Sequence, residues 1–162
     1  MEQANIPSST GTKNFRIAFI QSNWHQDIVN QGKEGFLEKF KTLGNSTDLI
    51  EFYQLPGAFE LPLKCKHLGS NEKFDLLIAA GFIVDGGIYR HEFVANAVIT
   101  GLMHVQLELE IPILSLVLTP KEYDGGKEQN AYFYNHFRIK GHEIAEAAHA
   151  VLTERTSSSD SL

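Results

Sequence analysis

The chain has 162 residues, 43% of them hydrophobic and 21% charged, and a formal net charge of −6, which is the composition of one ordinary globular domain. The negative balance and the absence of a Lys/Arg run make nucleic acid and anionic membranes poor partners, and no apolar stretch reaches the ~18 residues of a membrane span. One cysteine excludes an internal disulfide and a multi-cysteine zinc site, and the polar start without the apolar core of a signal peptide predicts a cytoplasmic protein.

Strands and helices are predicted to alternate along the chain. We expect residues 1–14 to form a flexible arm and residues 156–162 a frayed Ser-rich tail, so that one domain occupies residues 15–155. Apolar runs of strand length lie at residues 15–21, 49–55, 76–84 and 113–119. Apolar residues at helical spacing lie at residues 27–43, 58–68, 91–109 and 132–155, with Gly141 as a candidate break in the last helix.

The third predicted strand and the loop after it are the most distinctive stretch. Leu76 to Ala80 form an apolar run without a charge, which is typical of a strand that is covered on both faces. Asp85-Gly86-Gly87 follows as a loop with easy access to positive φ, and a long helix starts near His91. This stretch is either an ordinary strand-to-helix turn or a ligand site, since free amides at a helix start attract anions.

The repeated strand–helix order indicates an α/β fold. We predict a three-layer, flavodoxin-like four-stranded parallel sheet with helices on both faces and right-handed crossovers. The carboxyl ends of the first three strands then bring Trp24, residues 56–60 and residues 81–90 to one rim of the sheet. Open α/β sheets bind their ligands at such a rim.

Two side chains of this rim have both a structural and a functional interpretation. Trp24 either packs against the protein or stacks on a flat heterocycle. Glu60 either stabilises the start of its helix through the helix dipole or recognises substrate hydroxyl groups. The rim has no phosphate-binding Gly-x-x-x-x-Gly-Lys-Ser/Thr, no dinucleotide-binding Gly-x-Gly-x-x-Gly and no nucleophile elbow Gly-x-Ser-x-Gly.

Arg90 and His91, at the start of the third helix, are the candidate catalytic residues. Arg90 stays protonated and suits an anion, unless it is only a solvated surface charge. His91 can exchange protons near neutral pH, unless its side chain only satisfies backbone groups. Spacing alone leaves these alternatives open.

Taken together, several motifs resemble those of the 6,7-dimethyl-8-ribityllumazine synthase family of riboflavin biosynthesis. They run in order over about residues 15–150. The motifs are Ile17-Ala-Phe-Ile-Gln21 with Trp24, Leu55-Pro-Gly-Ala-Phe-Glu-Leu-Pro62, Gly81 to Val94, Gln106-Leu-Glu-Leu-Glu-Ile-Pro112 with Leu118-Thr119, and Lys140-Gly141. The segment from Val84 to Phe93 is similar to the second type of the family, whose members form decamers of two pentamers.

The resemblance implies a reaction and an assembly. The family condenses 5-amino-6-(D-ribitylamino)uracil with 3,4-dihydroxy-2-butanone 4-phosphate and releases phosphate and water, with no metal and no organic cofactor. The expected partners are therefore these small-molecule substrates and further copies of the chain, as a pentamer that pairs into a decamer.

The resemblance also implies substrate-binding roles for residues along the chain. In order, these are Trp24 for stacking on the pyrimidine, Ala58, Phe59 and Glu60 for the ribityl chain and ring, Phe82, Ile83 and Val84 for the ring pocket, Gly86, Gly87 and Ile88 for the phosphate, and Ser115, His136 and Lys140 from a neighbouring subunit.

One departure from the family pattern concerns proton transfer. Most members carry a histidine where an ungapped match places Arg90, and His91 follows it. Because Arg cannot accept a proton at neutral pH, we interpret Arg90 as a fixed cation for the butanone phosphate and His91 as the residue that handles protons. The alternative functions are a flavin- or lumazine-binding storage or sensing module with weak catalysis, and a structural assembly.

Overall fold

The computed structural model describes residues 13–159, so the predicted flexible arm lies outside the described residues over positions 1–12, as does the end of the predicted tail over positions 160–162. No helix within the described range is long and apolar enough to cross a membrane. The elements are β1 (Ile17–Ser22), α1 (Gln26–Thr42), β2 (Ile50–Leu55), a 3₁₀ turn (Ala58–Glu60), α2 (Leu61–Gly69), β3 (Leu76–Phe82), α3 (His91–Leu109), β4 (Ile113–Leu118) and α4 (Lys127–Ser159).

The four strands form one parallel sheet in the order β2-β1-β3-β4. This order confirms the predicted flavodoxin-like α/β fold. The chain moves from β1 outward to β2 and then returns past β1 to β3, so the direction of strand order reverses between β1 and β3. In this fold the crevice beside the carboxyl ends of those two strands is the place where ligands bind.

Each face of the sheet has its own hydrophobic core. Successive side chains of a strand point to opposite faces, so Ile17 and Phe19 of β1 pack with α1 and α4, whereas Ala18 and Ile20 pack with α2 and α3. Both central strands, β1 and β3, are buried along their full length. Two helical layers therefore fix the positions of the two strand ends that meet at the crevice.

Gly141 does not interrupt α4, and the prediction of a break there is wrong. A Cβ atom at Gly141 would lie 2.3 Å from the carbonyl oxygen of Gly32 and 2.8 Å from the backbone nitrogen of Phe36, both in α1. Gly35 meets α4 in the same way, since a Cβ there would lie 2.3 Å from the carbonyl oxygen of Arg138. These glycines serve the close approach of α1 to α4.

Helix α4 is also longer than predicted at both ends. It starts at Lys127 rather than Tyr132 and continues to Ser159, so the predicted frayed tail is helical over residues 156–159. The hydroxyl of Thr156 donates to the carbonyl oxygen of Leu152 at 2.8 Å, and the hydroxyl of Ser158 donates to the carbonyl oxygen of Glu154 at 3.1 Å. Such bonds to the preceding turn let serine and threonine remain in a helix.

Candidate active site

A cavity of ≈ 470 Å³ opens at the carboxyl ends of β1 and β3, at the reversal of strand order. Its lining residues are Trp24 and His25 from the β1–α1 turn, Phe82, Ile83, Val84, Gly86, Ile88 and Tyr89 from the end of β3 and the β3–α3 loop, and His91 and Val94 from α3. A mostly apolar wall with a few polar groups is typical of small-molecule sites.

Trp24 is held at this cavity by the turn after β1. The amide of Asn23 donates to the carbonyl oxygen of Leu55 at 2.8 Å, and the amide of Trp24 donates to the hydroxyl of Ser22 at 3.3 Å. The indole lies against the backbone of Gly57, where a Cβ atom would come within 2.6 Å of the ring. Because Trp24 is 37% exposed, its ring offers an aromatic surface to the cavity instead of filling the core.

The 3₁₀ turn after β2 lies beside Trp24 without lining the cavity itself. Ala58 is buried, whereas Phe59 is exposed and presents its ring edge-on to Trp24, with 6.4 Å between ring centroids. The carboxylate of Glu60 makes no capping hydrogen bond at the start of α2. The helix dipole therefore remains the structural interpretation of Glu60, without a hydrogen bond to support it, and hydroxyl recognition stays a prediction.

In the glycine loop after β3, a backbone amide is already hydrogen-bonded to a carboxylate of the loop itself. Gly87 has φ +79°, a conformation that favours glycine. Its amide donates to a carboxylate oxygen of Asp85 at 2.9 Å. The amide of Gly87, which is predicted to face the substrate phosphate, is therefore already paired with a negatively charged oxygen. A bound phosphate has to replace that carboxylate oxygen.

Arg90 and His91 have different surroundings. His91 begins α3 and lines the cavity; its side chain is only 11% exposed, and its Nδ1 atom lies 3.7 Å from a carboxylate oxygen of Glu92. Arg90 lies outside the cavity lining, with its guanidinium carbon 4.8 Å from the centroid of the Phe93 ring. Arg90 instead lines an adjoining groove of ≈ 290 Å³ that also contains Asp85, Gly87 and His91.

Comparison with known proteins identifies the family of the chain. The model of the 6,7-dimethyl-8-ribityllumazine synthase family matches residues 14–155. A 6,7-dimethyl-8-ribityllumazine synthase of Rhodococcus erythropolis is 47% identical over 137 residues, covering 85% of this chain and 88% of its own length. The chain belongs to the lumazine synthase family.

Two further relatives are named as a second enzyme of the same kind. The 6,7-dimethyl-8-ribityllumazine synthase 2 of Pseudomonas syringae pv. tomato is 45% identical over 133 residues, covering 82% of this chain and 78% of its own. That of Bradyrhizobium diazoefficiens is 42% identical over 132 residues, covering 82% and 79%. This family membership confirms the predicted function, the lumazine synthase reaction of riboflavin biosynthesis.

Three residues that the lumazine synthase resemblance assigns to a neighbouring subunit lie away from the cavity of their own chain. Ser115 is exposed on the edge strand β4, and its hydroxyl accepts from the amide of Val117 at 3.4 Å. His136 stacks on Tyr132 with 5.5 Å between ring centroids, and the ammonium group of Lys140 lies 2.7 Å from Glu143. Their contribution across an interface stays a prediction.

The sequence analysis missed three residues that line the cavity, namely His25, Tyr89 and Val94. His25 follows Trp24 directly at a strand end, a position that could have marked it. Val94 lies three residues after His91, close to one helical turn, so helical geometry already puts both on one side of α3. Tyr89 was placed at the rim only as part of the segment 81–90, because an exposed loop residue acquires its exact position only from the folded loop.

Proposed function

We propose that this cavity is where 5-amino-6-(D-ribitylamino)uracil and 3,4-dihydroxy-2-butanone 4-phosphate condense to 6,7-dimethyl-8-ribityllumazine, with release of phosphate and water. The observation that carries the proposal is the meeting of an exposed indole, two histidine side chains and a glycine loop around one cavity in a member of this family. Such a set of groups can bind one flat ring and one small phosphorylated ketone and can exchange protons with them.

The pyrimidine ring is proposed to stack on Trp24. The indole is kept in place from behind by the backbone of Gly57 and from its edge by Phe59, so that its orientation is set before a ligand arrives. Phe82, Ile83 and Val84 would hold the ring from the opposite wall. The ribityl chain would run toward Ala58 and Glu60, where an uncapped carboxylate can accept hydrogen bonds from hydroxyl groups.

The butanone phosphate is proposed to bind at the groove that adjoins the cavity. Gly87 and Ile88 supply backbone groups there, Gly86 lines the cavity beside them, and Arg90 supplies a permanent positive charge. A phosphate that takes the amide of Gly87 displaces the Asp85 carboxylate, which is exposed and can turn into water. Moving a like charge away from the phosphate would favour its binding to this loop.

Condensation of two substrates held in this way requires little covalent help from the protein. Holding an amine beside a ketone replaces an encounter in solution and can supply much of the acceleration. The Arg90 cation stabilises the charge that develops on the departing phosphate. His91, inside the cavity, is the proposed proton-transfer residue.

The direct experiment is steady-state formation of 6,7-dimethyl-8-ribityllumazine from both substrates by the purified protein. Formation that depends on both substrates and releases phosphate in equal amount supports the proposal. Tight binding of lumazine without any turnover would contradict it and would favour storage or sensing instead.

Truncation of Trp24 tests the stacking platform. We expect Trp24→Ala to weaken the binding of the lumazine product by about 1–3 kcal/mol, the usual range for stacking of a heterocycle on an aromatic side chain. Since Trp24 is the single tryptophan, quenching of the intrinsic fluorescence should report binding to the wild type. The matched control is Phe52→Ala, a partly exposed aromatic residue on β2 outside the cavity lining. If Trp24→Ala and the wild type bind the lumazine product with equal affinity, Trp24 is a packing residue and not a stacking platform.

Assembly into pentamers, paired into decamers, is proposed from the family type and from the surface of α3. Phe93, Ile99, Met103 and Leu107 expose large apolar side chains along this helix, and contiguous exposed apolar surface marks interaction sites. Neighbouring subunits would bring Ser115, His136 and Lys140 to each other's cavities. In sedimentation at micromolar concentration we expect one large species. A monomer near 18.1 kDa would refute the assembly and the shared site together.

A further inference from the structure

The cavity contains a second histidine that the substrate-binding scheme leaves unused. Among the ten residues that line it, none is Lys, Arg, Asp or Glu, and the imidazoles are those of His25 and His91. Imidazole is the side chain whose charge changes near neutral pH. Any proton that a side chain of this lining exchanges with substrate near pH 7 therefore passes through one of these two rings.

The backbone of His25 is held in a conformation that turns its ring toward the cavity. Its φ of 52° and ψ of 50° are left-handed, which costs a non-glycine residue free energy and is enriched at functional sites. The residue is the N-cap of α1, yet its side chain makes no capping hydrogen bond. Instead, the ring stands edge-on to Phe82 and Tyr123, with 5.4 Å between centroids in each case. Helix capping therefore does not explain this side chain.

We propose that His25 is a second proton-transfer residue of the lumazine synthase site and acts on the pyrimidine amine. The assignment rests on the proposed function, because it needs the pyrimidine on Trp24, the residue next to His25. His91, unlike His25, also lines the adjoining groove that is proposed for the ketone substrate.

Two proton transfers accompany the condensation of the amine with the ketone. As the amine nitrogen forms a bond to the ketone carbon, the carbonyl π bond breaks; the nitrogen gives a proton to His25 and the oxygen takes one from His91. His25 then passes its proton to solvent and His91 regains one from solvent. In a second transfer the nitrogen gives its remaining proton to His25 as the C=N bond forms, and the C–O bond breaks as the oxygen takes a proton from His91 and leaves as water. One ring accepts protons from nitrogen and the other delivers protons to oxygen.

Among the groups around His25, the imidazole of His25 itself is the one proposed to exchange protons with the pyrimidine amine. Tyr123, from the β4–α4 loop, contacts the His25 ring. Asp27, in the first turn of α1, and Asp124 lie near Tyr123, and Tyr89 and His91 line the same cavity as His25. Burial, followed by the nearby Asp27 and Asp124 carboxylates, raises the pKa of Tyr123, so its hydroxyl stays protonated at neutral pH. Phe82, from β3, brings no titratable group.

The test uses two substitutions that suit a positive φ, His25→Asn and His25→Gly. We expect both to lower kcat by about 10²-fold, the lower range for one acid–base group, with nearly unchanged KM values, product affinity and melting temperature. One limb of the pH–rate profile should disappear, and added imidazole should restore part of the rate to His25→Gly. The matched control is His67→Asn, an exposed histidine of α2 outside the cavity lining, which should keep the wild-type rate and profile.

Three results would overturn the inference. Wild-type kcat and pH profile in either His25 variant would remove the role while leaving the proposed function intact. A rate loss that is matched by an equal loss of product affinity and is not rescued by imidazole would make His25 a packing residue. Failure of the wild-type protein to form lumazine at all would remove the proposed function, and this inference with it.

Discussion

Phe82→Ala is expected to lower the free energy of unfolding by about 3–5 kcal/mol, the usual range for truncating a fully buried phenylalanine. Phe82 is inaccessible to solvent and is the centre of an aromatic cluster, with ring contacts to His25, Tyr123, Phe133 and Phe137. Its removal leaves a void where the end of β3, the β1–α1 turn and α4 meet, and backbone on three sides cannot collapse to fill it. The same change should weaken the binding of the lumazine product, because the Phe82 ring lines the cavity.

Urea unfolding at one fixed protein concentration measures this effect, since the stability of an assembly depends on concentration. Phe52→Ala is the control, because Phe52 is 44% exposed on the edge strand β2 and should lose much less. A loss for Phe82→Ala no greater than that of the control would mean that the aromatic cluster is not a source of stability.

His91→Asn and Arg90→Ala are expected to impair catalysis in different ways. The nearly buried imidazole of His91 faces the cavity, so its loss should lower kcat by about 10²-fold or more and remove a limb of the pH–rate profile. Arg90 lies in the adjoining groove, so Arg90→Ala should mainly raise KM for the phosphorylated ketone and change KM for the pyrimidine little. Arg90→Lys should recover part of this loss, because the charge remains but the two-pronged geometry does not.

The separation of the two KM effects is the decisive observation. Equal increases of both KM values in Arg90→Ala would mean that Arg90 supports the whole site rather than the phosphate. Full rate and the wild-type pH profile in His91→Asn would make His91 structural. The reaction would then depend on orientation, water and His25.

The order and type of the elements could be predicted because their signals are local. β3 is an uncharged apolar run, and α1 ends where Gly44 adopts a φ of +86°. The limits of α4 could not be predicted in this way, since its interior glycine is explained by the backbone of α1 and its last turn by hydroxyl bonds within the helix. Glycine and serine at those positions indicate breaks only when the partner helix is ignored.

The candidate site was predictable to the extent that it consists of strand ends. Trp24 and the segment from Phe82 to Ile88 follow β1 and β3 directly, so parallel pairing alone brings them together. The contribution of His25 depends on one backbone torsion, and the placing of Arg90 outside the cavity depends on its contact with Phe93. Neither a residue's type nor its spacing carries that information.

The single cysteine can report how often the core around it opens. Cys65 in α2 is completely covered by the core shared with α3, and burial raises the pKa of its thiol to about 12. At neutral pH it offers an alkylating reagent neither access nor thiolate. Reaction therefore requires this layer to separate from the sheet. Labelling rates measured with and without lumazine would show whether a ligand bound at the strand ends slows this opening.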